Sequence, residues 1–309
     1  MFELNIILPP MAKSSGLRNR QGKQAALLIA PALFGFACFY LYPTFRGIYL
    51  SFTHTVDPGS TGNWVGLAMY RKLWNDPLFW NAVRVTFQYV VINIGSQTIF
   101  ALGLAVAIDR LAKSTWVRIA LLMPWLIPGI TTAMLYTWIL SPSLGVVNQA
   151  LSALHLKTYE FFSSDTMAMP TVALVNTWRY VGYTSLLIFA GIQMIPKSMY
   201  EAGSIDGATE WRLFRSITLP LLRPVLTMVM VVSFIGSFQI FDTIVVALSN
   251  GGANSGDALR ALNYYIYQKT FMEYKIGYGA AMATVLLVFL AIFSLIQMKI
   301  NRANESDLG

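Results

Sequence analysis

The sequence predicts an all-α membrane protein: six transmembrane helices, both termini in the cytoplasm, and a cytoplasmic helix pair between the fourth and fifth spans. Three observations carry that expectation: scarce charge, apolar runs of membrane-crossing length, and a lopsided placement of Lys and Arg. Of 309 residues 56% are hydrophobic and only 12% charged, where a soluble domain carries about 25% charged residues. The apolar residues collect near 25–43, 83–108, 117–140, 170–195, 223–248 and 277–300. About 20 helical residues cross a hydrocarbon layer. Backbone groups in lipid must pair within their own segment or around a closed barrel, and none of these runs alternates as a barrel strand does. Pro124 and Pro128 lie inside the third run, where membrane helices tolerate proline.

The net charge of +8 is a matter of topology. Lys13, Arg18, Arg20 and Lys23 precede the first run, and Arg110, Lys113 and Arg118 lie between the second and third. Lys197, Arg212, Arg215 and Arg223 lie between the fourth and fifth, and Lys299 and Arg302 follow the sixth. If the runs alternate in direction, all of these fall on one side, and the positive-inside rule makes that side the cytoplasm. This pattern argues against a nucleic-acid partner and for membrane lipid.

Residues 1–24 read as a short cytoplasmic lead, 25–300 as one membrane domain and 301–309 as a cytoplasmic tail. The basic start and first apolar run mimic a signal peptide, but five more runs follow and no small-residue cleavage site stands out, so an uncleaved anchor is expected. The outward loop after the first run contains the turn signals Pro43, Pro58, Gly59, Ser60 and Gly62. The stretch "LAMYRKLWNDPLFWNAV" then suits an interfacial helix, with Tyr70, Trp74, Phe79 and Trp80 at headgroup level. A short helix is also expected in "SPSLGVVNQALSALHL". Cys38 stands alone and reads as a small buried hydrophobe.

Catalytic chemistry is absent from the pattern. "GLRNRQGKQ" at 16–24 has five residues between its glycines, where a phosphate loop needs four, and Gln24 stands where Ser or Thr would hold magnesium. His54 and His155 are isolated in loops, so no metal site is expected. The chain reads as a non-enzyme without a cofactor of its own.

Polar residues inside the runs mark the candidate solute path, because a charge at the centre of a membrane helix costs about 2.5–3.5 kcal/mol to insert. Arg179 is the clearest case; it faces a water-filled path, snorkels outward or pairs with Asp242 near the same level. Asn93, Gln97, Asn176 and Gln239 add amides, each also a candidate for interhelical hydrogen bonding. With Trp178, Tyr183 and Phe238 they offer the stacking faces and amides that a sugar needs.

Between the fourth and fifth runs, 196–223 reads as helix, turn, helix. Ser198 to Glu201 has the capping-box pattern after Pro196. Asp206 and Gly207 suit a turn in which the aspartate caps the second helix. Trp211, Phe214 and Ile217 repeat as an apolar face opposite Arg212 and Arg215, and Pro220 is placed to stop the helix. Such a segment either lies on the inner leaflet or fits a groove on a partner.

The stretch "EAGSIDGATEWRLFRSITLP" resembles the signature of binding-protein-dependent ABC importer permeases: Glu-Ala-Ala, three residues, Gly, nine residues, Ile-x-Leu-Pro. Glu201, Ala202, Gly207, Ile217, Leu219 and Pro220 match, and Gly203 replaces the usual third alanine. "IQMIPKSMYEAGSIDGATEWRLFRSITLPLLRP", "FQIFDTIVVALSNGG" and "GVVNQAL" resemble the carbohydrate-type permeases similar to the maltose transporter's membrane subunits. The resemblance implies a bacterial inner-membrane subunit that imports an oligosaccharide or related polyol by alternating access. The loop 196–222 would seat on a separate ATPase subunit, with Glu201, Asp206 and Gly207 as contact and turn positions. ATP and magnesium would reside on two copies of that ATPase. A second homologous permease and an extracytoplasmic solute-binding protein would complete the assembly. A phosphorylated polyol is the alternative solute, suggested by Arg179. An ion-coupled secondary transporter and a passive channel subunit are the rivals from other classes.

Overall fold

The computed structural model describes residues 27–57, 59–60, 62–111, 114–249 and 256–306. The lead 1–24, Pro58, Lys113 and the end of the tail (307–309) lie outside the described residues.

Helix α1 runs over Leu27–Leu50, seven residues beyond the expected run, so Pro43 does not end it. A proline lacks an N–H and its ring crowds the carbonyl four residues back. Here a π turn at Ala37–Leu41 precedes it, with the Tyr42 N–H reaching back to the Ala37 carbonyl, and the widened turn takes up the misfit. A two-residue hairpin follows, β1 (Thr53–His54) antiparallel to β2 (Asn63–Trp64). Then come α2 (Ala68–Trp74) and α3 (Pro77–Leu111), whose 35 residues exceed what a bilayer requires.

The expected third span is two helices, α4 (Thr115–Leu126) and α5 (Gly129–Ile139), meeting at 90°. The break falls where a proline forces its predecessor out of helical space: Ile127 has ψ 131, and Pro128 opens α5. The short helix expected in the next loop is α6 (Val146–Ala153), and α7 spans Ala168–Gln193. Next are α8 (Lys197–Ile205), α9 (Glu210–Leu213), α10 (Arg223–Phe238), α11 (Asp242–Ser249), α12 (Leu262–Tyr267) and α13 (Ile276–Ser306).

Among the described residues four helical stretches are long and apolar enough to cross a membrane: Leu27–Leu50, Pro77–Leu111, Arg223–Ser249 and Ile276–Lys299. The bent α4–α5 pair makes a fifth if it counts as one span. Helix α7 has the length, 26 residues, but Asn176, Arg179 and its threonines dilute it.

Along the bundle, two apolar cores enclose a polar layer. The larger lies toward the hairpin end and includes Tyr89, Val172, Ile244, Leu259, Tyr265 and Met282. The smaller lies toward the 196–222 end, where Ala101 and Ala105 of α3 meet Ile188, Ile192, Leu222 and Val229. Small residues let membrane helices approach closely: Cβ atoms at Gly191 and Gly182 would collide with Val225 and with the Leu121 carbonyl, respectively.

Asp76 fastens the hairpin end. Its carboxylate accepts hydroxyl hydrogens from Tyr265 (2.7 Å) and Tyr278 (2.5 Å) and the Leu78 N–H (2.9 Å), joining α3 to α12 and α13. Burial pushes the Asp76 carboxyl up, but the tyrosine hydroxyls and the Leu78 and Phe79 N–H groups outweigh it and hold the group below the usual carboxylate range. Burial, reinforced by that carboxylate, pushes the Tyr265 hydroxyl up. Of the aromatics expected at headgroup level, Phe79 is instead core, while Trp74 and Trp80 are exposed and pack edge to face.

Candidate functional site: a polar cavity at two helix breaks and an exposed helix pair

The polar layer surrounds a cavity of about 410 Å³ lined from α3, α7, α10 and the break between α10 and α11. Helix α3 supplies Tyr89, Asn93 and Gln97, four residues apart and so on one face. Helix α7 supplies Asn176, Arg179, Tyr180, Tyr183, Thr184 and Leu187; α10 supplies Met228, Val229, Val232, Ser233, Gly236 and Ser237. The break contributes Gln239, Ile240 and Phe241, followed by Asp242 and Thr243.

The buried amides bind the helices together. Asn93 Nδ2 donates to Ser237 Oγ (3.0 Å), Gln97 Nε2 to Thr184 Oγ1 (2.7 Å), and Asn176 Nδ2 to Thr243 Oγ1 (3.2 Å). Each therefore lines the cavity and forms an interhelical bond. Arg179 serves the backbone: its Nε donates to the Ile127 carbonyl at 3.1 Å, the group freed where α4 breaks from α5. Its guanidinium lies 5.1 Å from the Tyr180 ring centroid. The structure does not join Arg179 and Asp242 as an ion pair. Both instead converge on Gly129, where a Cβ would collide with Asp242 Oδ2 and stand 3.0 Å from Arg179 Nη1. The Tyr183 ring stacks on Trp125 at 4.7 Å, giving the cavity a flat aromatic wall.

Two expected path residues fall elsewhere. Trp178 sits off the Asn176–Arg179–Tyr183 face and packs edge to face on Tyr136. Phe238 is buried against Phe234 and Phe289, off the face shared by Ser233 and Ser237.

At the opposite end, α8 and α9 form an exposed helix pair. Asp206 closes α8, Gly207 takes φ +74, and the Ala208 N–H reaches the Gly203 carbonyl at 3.0 Å. This is a Schellman ending, which a left-handed glycine permits. Asp206 is thus the C-cap of α8; Thr209 is the N-cap of α9, without a side-chain bond. The capping box is likewise not formed, because Pro196 is the N-cap of α8 and Ser198 lies within its first turn. The buried face of α9 and its continuation is Leu213, Ile217 and Thr218, while Trp211 is 69% exposed. Gly203 allows this contact: a Cβ there would lie 2.6 Å from Leu213 Cδ2 and 3.1 Å from Ile217 Cδ1. Pro220 does not stop the helix. A π turn at Phe214–Thr218 precedes it, as before Pro43, and helical backbone runs through Leu219–Leu221 into α10. Glu201, Ala202, Ile205 and Asp206 are exposed on the pair. Glu210 bridges to Arg110 at 2.5 Å, fastening the pair to α3.

The family described as binding-protein-dependent transport system inner membrane component matches residues 98–305. The chain belongs to that family. The permease is 31% identical over 283 residues to the sulfoquinovosyl glycerol transport system permease of Agrobacterium fabrum, covering 91% of each chain. It is 30% identical over 292 residues to the trehalose/maltose transport system permease of Thermococcus litoralis, covering 94% of its own length and 97% of the relative. Its fold matches a crystal structure of a bacterial ABC transporter involved in import of the acidic polysaccharide alginate, with TM-score 0.80, 22% identity, and coverage of 93% and 99%. The permease is a multi-pass membrane protein, and the relatives are transport permeases rather than enzymes.

Sequence reasoning about the permease did not single out Tyr89, Thr184, Ser233, Ser237 or Gly129. The signal for three of them was available: Tyr89 extends the Asn93–Gln97 row by one turn, and Ser233 and Ser237 are four apart. Gly129 carries no such signal, since its role arises from Asp242, more than a hundred residues away.

Proposed function

We propose that this chain is the membrane permease subunit of an ATP-driven importer for an oligosaccharide or related sugar, working by alternating access. It has six spans, with α4–α5 counted as the third and α7 as the fourth, and cytoplasmic termini. ATP and magnesium are held by two copies of a separate ATPase, on which the α8–α9 pair docks. A second homologous permease completes the pathway, and an extracytoplasmic binding protein delivers solute.

The cavity at the two helix breaks carries this reading. Irregular backbone at membrane depth is tolerated where it is buried in protein or lines a water-filled cavity, and broken helices at the midplane hold solute in many transporters. The lining pairs the Tyr183 ring, backed by Trp125, with hydroxyls and amides, which suits the apolar faces and hydroxyl rims of a sugar. A phosphorylated polyol is the second reading, favoured by Arg179.

The test is uptake into vesicles holding the permease with its partner permease and ATPase, using the solute that co-purifies with the binding protein. Uptake is expected to require ATP and to fall about tenfold or more in Arg179→Ala, because a charge-assisted hydrogen bond is worth about 1.5–3 kcal/mol. Uptake driven by an ion gradient without ATP would establish the secondary-transporter class instead. A phosphorylated solute would select the second reading.

A further inference from the structure

The cavity lining holds two charged side chains, Arg179 and Asp242, and their surroundings differ. Arg179 is engaged by the Ile127 carbonyl, the Tyr180 hydroxyl and the Tyr180 ring. The Asp242 carboxylate accepts no hydrogen bond from any described residue. Position holds it there. It opens α11, and its Oδ2 occupies the space that a side chain at Gly129, the first residue of α5, would fill. The starts of two helices, each bearing partial positive charge, converge on one carboxylate at the cavity wall.

We infer that Asp242 is the charge filter of this cavity: it admits uncharged polyhydroxyl ligands and turns away those bearing phosphate, sulfonate or carboxylate. The inference rests on reading the cavity as the solute path. An anion that reaches Arg179 also meets Asp242, since both groups approach the same glycine. Attraction and repulsion then largely cancel, and the anion's lost hydration is left without compensation. A hydroxyl meets no such conflict, because it donates to the carboxylate while accepting from the guanidinium. Gln239, exposed at the break, and the Tyr183 hydroxyl extend the set. The solved transporter that shares this fold is described as importing an acidic polysaccharide, so the fold by itself does not dictate the charge of the ligand.

Gly236 lines the cavity, and a Cβ there meets nothing within 4 Å. Gly236→Cys combined with Cys38→Ser, in the assembled transporter, gives this chain a single thiol at the site. The thiol is labelled with anionic sulfonatoethyl and cationic trimethylammonioethyl methanethiosulfonates of similar size. Asp242→Asn is expected to raise the anionic-to-cationic rate ratio about tenfold, and Arg179→Gln to lower it. An unchanged ratio in Asp242→Asn overturns the inference. In the parent protein, maltotriose is expected to protect the thiol and a triglucuronate is not; Asp242→Asn should extend protection to the triglucuronate. Protection of the parent by the triglucuronate also overturns the inference. A shifted ratio with protection by neither sugar overturns the sugar-path reading and with it the inference that rests on it.

Discussion

The exposed pair α8–α9 and the cavity at the helix breaks both depend on a glycine that admits a neighbour, yet they are built on different scales. The pair is a local object. Its turn closes through the Gly207 and Ala208 N–H groups, which reach back to Ser204 and Gly203, and Gly203 packs against Leu213 and Ile217, 10 and 14 positions on. The cavity is assembled from distant parts. Arg179 reaches Ile127 across 52 positions, and Asn93 reaches Ser237 across 144. The pair closes within one stretch of chain and adds the Glu210–Arg110 bridge to α3, whereas the cavity needs every helix that lines it.

Four substitutions break or sharpen that contrast, in order of expected effect. Gly207→Pro should abolish transport-coupled ATPase activity, since proline fixes φ near −65° where the turn holds +74; cavity labelling at residue 236 should not change. Full coupled activity in that variant would remove the docking role. Gly182→Ala should act in the opposite sense, altering the cavity and sparing the pair. Its Cβ meets the backbone carbonyl of Leu121, and overpacking of this kind costs about 1–3 kcal/mol, readable as a lower unfolding temperature with altered labelling. Asp76→Asn should cost about 1.5–3 kcal/mol by weakening hydrogen bonds to a charged acceptor, without a direct effect on either region. Because the Asp76 carboxyl is held low in the folded state, its stabilisation is present above the ordinary carboxylate pKa. It is lost as pH falls through the lowered value, and acid-unfolding curves of the Asn variant should lack that component. Gly203→Ala should be smallest, within about 1 kcal/mol: helix propensity favours alanine by about that much, and only the ends of Leu213 and Ile217 must move.

The same difference of scale decides what was legible. Glu201, Gly207, Ile217 and Pro220 carry their spacing in one stretch of sequence, so the helix–turn–helix could be read directly. Finer assignments there failed where two chemistries competed: Asp206 suits an N-cap, but a glycine next to it makes the stronger C-terminal ending for α8. Arg179, Asp242, Asn93, Gln97 and Asn176 were recognisable as path candidates because polar groups in apolar runs are costly. Trp178 and Phe238 were not separable from them by residue type, since only the helix faces exclude them. Pro43 and Pro220 read as breakers and are instead carried by π turns, which depend on backbone spacing beyond residue identity. Pro128 breaks the helix where tolerance was expected, because it holds Ile127 out of helical space, and α5 turns away to lie beside α11.

That break bears on how the protein is made. Its halves have 12 and 11 residues, about 18 and 16 Å of helix against a hydrocarbon layer of about 30 Å, so neither can hold itself across a bilayer. The Ile127 carbonyl stays without its donor until Arg179 has been synthesised and α7 has moved into place. During synthesis, then, the bent pair has its full set of contacts only once Arg179, 52 positions beyond Ile127, has followed it.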